Sequence, residues 1–174
     1  MPSLRLSTVS LMLSVILWGT LLGGVAYSHL VYFPAYLSAL PDSAVVVNGP
    51  YGLNEGVFWV LIHPLLILSL ITTLVLNWRL KPRRKLIAIT CAVYFVVLVV
   101  SSLYFIPELG AFKHSPESGL SAAEWLVRTQ RWQHLSWARG AVCYLNVVPL
   151  LLALTIPAEA RIEYKAEDKA PAVV

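Results

Sequence analysis

Four apolar stretches, at about residues 8–33, 56–77, 86–106 and 135–156, are each long enough to cross the hydrocarbon core of a bilayer as a helix. A span takes about 20 apolar residues at a rise of about 1.5 Å each. In lipid the backbone must satisfy its own hydrogen bonds, so such stretches are either helices or strands of a closed barrel. Unbroken runs of Leu, Val and Ile lack the apolar–polar alternation of a barrel strand. The expected fold is therefore all-α: an integral membrane four-helix bundle over residues 1–157, followed by a short tail, 158–174. With 58% apolar and 13% charged residues, the composition lies outside that of an ordinary soluble domain.

The formal charge of +4 is an orientation marker rather than a nucleic-acid signal. Arg79, Lys81, Arg83, Arg84 and Lys85 crowd the link between the second and third stretches. The positive-inside rule makes that link cytoplasmic, and four crossings then put both termini and the tail in the cytoplasm. The expected location is the bacterial inner membrane. Apolar character persists from residue 8 to Phe33, well beyond the 7 to 15 residues of a signal-peptide core, so the first helix reads as uncleaved. Cys91 and Cys143 form no C-x-x-C pair and read as small buried apolar residues.

Local signals place the helix ends. Gly19 and Gly23, four apart, predict close approach to a neighbouring helix. Pro34 and Pro41 should end or bend the first helix and Pro107 should end the third, with a short extended piece at Val45–Val47 between the first two. Asn54 with Glu55 suits the start of the second helix. Pro64 should loosen the Val60 carbonyl beside His63. The third stretch reads as scaffold. Ser121 and Glu124 form a capping box that opens a helix running on into the fourth span. Glu124 and Arg128 are spaced as an i, i+4 pair, and Trp125 and Trp132 suit the headgroup interface. Pro149 predicts a kink in the last span.

Ionisable side chains within a span need a partner, a ligand or water. His29, His63 and His134 fall in one outer layer about 10 Å thick, judged by helical rise, together with Glu55, Tyr32, Tyr36 and Arg139. Imidazole with carboxylate is ligand chemistry for copper, iron or zinc, and bundles build such sites from facing helices. His29, His63, His134 and Glu55 are therefore the expected metal ligands, and His134, Arg139 and Glu55 the expected catalytic groups. No H-x-x-x-H, E-x-x-H or H-E-x-x-H spacing accompanies them, so interhelical hydrogen bonding stands as the alternative; a haem held by two histidines is a third reading. His114, in the outer loop, carries no role. Arg139 calls for Glu55 or Glu108 as its anion, and Asn146 would extend its polar stripe. The outer tyrosines and tryptophans read either as an interfacial belt or as a pocket for a flat lipophilic molecule such as a quinone or polycyclic phenol.

The order of features resembles that of small four-helix membrane proteins related to anthrone oxygenases. The resemblance rests on the glycine-rich first helix ending in His29 and F-P-A-Y (Phe33 to Tyr36), and on N-E-G-V-F-W at the start of the second helix. It continues in F-I-P-E at the end of the third and R-W-Q-H-L-S-W-A-R (Arg131 to Arg139) entering the fourth. Ser136 stands where that family's asparagine is expected. The resemblance covers most of residues 10–155 and implies oxidation of an aromatic or otherwise lipophilic substrate. The rival reading is a non-enzymatic accessory subunit whose apolar faces meet a larger membrane complex or a second copy.

Overall fold

The computed structural model describes residues 5–158, and the ordered elements among them are all helical. Four helices are long and apolar enough to cross a membrane: α1 (Leu6–Leu37), α2 (Gly56–Leu76), α3 (Lys81–Lys113) and α4 (Ala122–Thr155). Their outward faces carry exposed Leu13, Ile16, Leu61, Leu68, Phe95 and Leu151. Apolar residues all round a helix suit a lipid surround rather than water. The tail expected at 158–174 lies outside the described residues from 159 onward.

α1 runs past Pro34, which was expected to end or bend it, and α3 runs past Pro107, which was expected to end it. A proline ring strains the carbonyl four residues back and offers no N–H. Both helices absorb this by widening one turn before the proline. Ser28–Tyr32 and Ser101–Phe105 are π-helical; Phe33 N–H reaches back to Ser28 O and Ile106 N–H to Ser101 O. Pro34 and Pro107 then sit in the first turn of a renewed α-helix. In α4 the backbone loosens at Asn146 and Val147 before Pro149, as its position predicts. The residues around Val45 form a 3₁₀ turn, Asp42–Val46, instead of an extended piece. Ser43 holds that turn, its hydroxyl donating to Tyr36 O at 2.6 Å and accepting from Ala39 N at 3.2 Å.

α2 is the shortest of the four at 21 residues, so α1, α3 and α4 rise above its start as a cap. Aromatic rings fill the cap. Phe33, Phe105 and Phe112 each meet Trp132 edge-on, and Phe112 also meets Trp125. Trp125 and Trp132 are each 1% exposed, so they are core rather than interfacial anchors. They lie on the face of α4 turned toward α1 and α3, and Trp132 Nε1 donates to Phe105 O at 3.2 Å. Ser121 and Glu124 form the expected capping box. That use takes Glu124 away from Arg128, which instead grips Glu108 of α3 through two bonds of 2.7 and 2.8 Å.

Below the cap, Trp18, Leu21, Leu66, Ile87 and Leu150 form a second core. Ser14 bridges to Ser69 and Thr73 of α2 at 2.8 and 2.9 Å. The α1 face at Ser14, Leu21, Gly24 and Ser28 therefore looks inward, which leaves Gly19 and Gly23 on the outer side with open space around them. Close approach falls to Gly24, against Phe58 of α2, and to Gly140 of α4, against Val25 and His29. Cys91 and Cys143 are free thiols.

Arg83 closes the opposite end. Only 2% exposed, it donates to Ile156 O from Nε and Nη2 at 2.9 and 2.6 Å, and from Nη1 to Thr8 Oγ1 and Asn77 Oδ1. Asn77 adds a bond to Ser7 O. One side chain thus ties the start of α1, the α2–α3 turn and the end of α4. Hydrogen bonds from a charged donor contribute about 1.5–3 kcal/mol each. Replacing Arg83 with alanine should lower unfolding stability in detergent by about 3 kcal/mol or more, and Arg83→Lys should recover only part, because a lysine cannot span the three partners.

Candidate functional site

A cavity of about 580 Å³ lies beneath the aromatic cap, at the level where α2 begins. Its walls are apolar, drawn from Leu21, Val25, Phe33, Trp59, Val97 and Phe105, and the polar groups that enter it are Ser28, His29, Glu55, His63, Tyr94, Ser101 and Arg139. Val60, Pro64 and Ile106 line it while remaining exposed on the outer surface, Val60 at 73% and Ile106 at 63%. Its mouth therefore opens sideways between α2 and α3, on the apolar flank. An apolar pocket with a few convergent polar groups is the usual form of a small-molecule site.

The widened turns supply part of the polar set. In α1 the π turn brings two successive residues, Ser28 and His29, to buried positions. Its counterpart in α3 places Ser101 at the same six-residue offset from its proline. π-helical insertions of this kind are concentrated at functional sites.

His29 is fully committed to its surroundings. The Val25 carbonyl, 2.8 Å from Nδ1, can only accept, so Nδ1 carries the proton and Nε2 accepts from Ser136 Oγ at 3.0 Å. Ser136 in turn accepts from Arg139 Nη2 at 3.1 Å. The chain of donors runs Arg139, Ser136, His29, Val25 O in one direction. Arg139 Nη1 reaches Ser101 Oγ at 3.0 Å, whose own proton goes to Val97 O at 2.6 Å.

His63 differs. Its Nδ1 meets the Tyr94 hydroxyl at 2.5 Å, and the ring stacks on Trp59. Nε2 has no partner among the described residues. Glu55 accepts a hydrogen bond from Ser28 Oγ at 2.7 Å. Burial pushes its carboxyl above the usual carboxylate range, and the Ser28 bond and the charge of Arg139 only partly offset this.

The expected residues thus divide. His29, His63, Glu55 and Arg139 share the cavity, whereas His134 is exposed on the outer side of α4 and touches none of it. Trp132, Ser136, Gly140 and Cys143 mark the buried face of α4, and His134 lies two residues from both Trp132 and Ser136, about 200° round the helix. The expected metal donors are not brought together as one set. Both nitrogens of His29 are occupied, His134 is elsewhere, and no group of three His, Cys, Asp or Glu side chains among the described residues is placed to hold an ion. Arg139 has neither expected carboxylate at ion-pair distance: Glu108 is held by Arg128 and Glu55 by Ser28. Asn146 turns to Thr90 O instead of lengthening the stripe. His114 stays in its loop beside Glu117.

Four participants escape a reading of the sequence alone: Ser28, Tyr94, Ser101 and Ser136. The third helix is thus no mere scaffold. The recurrence of Ser-x₅-Pro spacing at Ser28–Pro34 and Ser101–Pro107 was the available signal. Comparison with known protein families, characterised proteins and solved structures finds no match to this chain.

The Glu55 carboxyl gives a pH test. A raised folded pKa means that its contribution to stability is fully present below the unfolded value of about 4.3 and is lost as pH rises through the folded value. The protein should accordingly gain stability on acidification across that window. Glu55→Gln should remove this dependence and be the more stable form at neutral pH, as read by thermal unfolding at a series of pH values.

Proposed function

We propose that this chain is a multi-pass integral membrane protein, its termini and α2–α3 turn on the cytoplasmic side, that acts as an oxidoreductase on a lipophilic, aromatic or quinone-like substrate. The observation that carries this reading is His63: one ring nitrogen is held by Tyr94, the other has no partner among the described residues, and the residue lines an apolar cavity whose mouth lies on the apolar flank. Oxidation or reduction of phenols and quinones moves protons with electrons, and an imidazole with a vacant nitrogen is the side chain best suited to exchange them near neutral pH. Tyr94 orients the ring, Glu55 is a second proton carrier at the upper rim, and Arg139 is an orienting charge. The electrons go to, or come from, a co-substrate of the dioxygen or quinone class. The resemblance to anthrone-oxygenase-like proteins points the same way.

Positive charge concentrated at residues 79–85 supports the proposed orientation. It puts the cavity in the outer half of the bilayer, within reach of molecules dissolved there.

A panel of naphthoquinones and polycyclic phenols offered to the purified protein in nanodiscs, followed by absorption spectroscopy, tests the activity. Turnover should fall by about 10²-fold or more in His63→Ala, the usual scale for loss of a general acid–base, and by less in Tyr94→Phe. An inert wild type that purifies with a stoichiometric membrane partner would instead establish the accessory-subunit reading.

A further inference from the structure

Arg139 has a donor surplus that nothing in the protein meets. A guanidinium offers five N–H donors. Two are accounted for, by Ser101 and Ser136, and three have no acceptor among the described residues. Each serine directs its own proton away from Arg139, to Val97 O and to His29 Nε2. The guanidinium carbon sits 4.0 Å from the centre of the Phe105 ring, and Arg139 lines the cavity.

Arg83 and Arg128 show what this chain does when a guanidinium is structural. Arg128 is matched by both oxygens of Glu108, and Arg83 donates four bonds to three oxygens. Arg139 alone of these three is placed against open volume, next to neutral hydroxyls. Glu55, the nearest carboxylate by its electrostatic influence, is bonded to Ser28 and biased toward its neutral form by burial. The upper end of the cavity therefore holds a guanidinium with donors to spare.

On this basis, and resting on the reading of the cavity as a lipophilic-ligand site, we propose that Arg139 forms a subsite for an oxygen-centred monoanion, a carboxylate or phenolate, carried by the substrate. Two parallel N–H···O bonds to such a group are the strong, orienting form of arginine recognition. The body of the ligand lies below, among Leu21, Trp59 and Val97, where the Trp59 indole favours a flat ring system. Ser101 is seven residues from Tyr94 and Glu55 eight from His63, so the Arg139 level stands about 10–12 Å above the His63–Tyr94 pair. An anion anchored at Arg139 presents the far end of its ring system to His63. The charged end is uppermost, as in any amphiphile seated in one leaflet.

The test is equilibrium dialysis of the full chain in phosphatidylcholine nanodiscs, with 2-naphthoate and the neutral isostere 2-naphthamide as probes and empty nanodiscs correcting for partition. Wild type should bind the anion at least tenfold more tightly than the amide. Arg139→Gln should bring the two within about threefold while leaving amide binding in place. If R139Q does not fold, Arg139→Lys serves, since it keeps the charge without the planar fork and should reduce the preference severalfold. Equal binding of both probes by wild type, or a preference unchanged in these variants, overturns the anion subsite and leaves the lipophilic cavity standing. Failure of naphthoate, naphthamide and 1,4-naphthoquinone alike removes the cavity reading together with the subsite. Naphthoate binding unaffected by phosphatidylglycerol in the disc supports the assignment; displacement by that lipid overturns it in favour of a phospholipid headgroup.

Discussion

The missing N–H of two prolines organises this bundle. In an apolar helix a lost backbone donor has no water to replace it, so the geometry must change until the remaining groups are satisfied. α1 and α3 respond identically, each opening a π turn one step before Phe33–Pro34 and Ile106–Pro107. The helices thereby continue into the cap instead of stopping, and the widened turns deliver Ser28, His29 and Ser101 to one level. The aromatic cap and the polar level of the cavity beneath it follow from that pair of local adjustments.

Polarity inside the bundle is organised as directed chains. Each serine near Arg139 accepts from the guanidinium and donates onward, one to a carbonyl and one to an imidazole that passes its own proton to a carbonyl. Such chains leave no rotational choice to the hydroxyls. They hold the cation in place without neutralising it, which is a different arrangement from the carboxylate clamp on Arg128 or the carbonyl knot around Arg83. Arg83 and Arg128 thus stabilise structure, whereas most of the bonding capacity of Arg139 stays unused.

The helices and their number were legible from hydropathy alone, because length and unbroken apolar runs leave few alternatives. The capping box at Ser121 and the break before Pro149 were also readable, each being a short-range device. Helix rotation was not. Depth puts His29, His63 and His134 in one layer, but only packing reveals that Trp132, Ser136 and Gly140 face inward and carry His134 away from the cavity. Pro107 misled, and Pro34 left the outcome open, because a stop and a widened turn have the same sequence signal. The tryptophans misled for a related reason: a ring that suits an interface suits a core equally well, and the cap that buries Trp125 and Trp132 exists only because α1 and α3 continue past their prolines.

Val60, Pro64 and Ile106 give the sideways mouth a further meaning. A binding site that opens on the apolar flank of a helical bundle equilibrates with whatever coats that flank, not with the aqueous phase. For a membrane-embedded chain, occupancy is then governed by the mole fraction of a compound among the lipids. Two compounds with the same fit to the cavity would differ in potency by the ratio of their partition coefficients, and enlarging the bilayer at constant dose would act as a dilution.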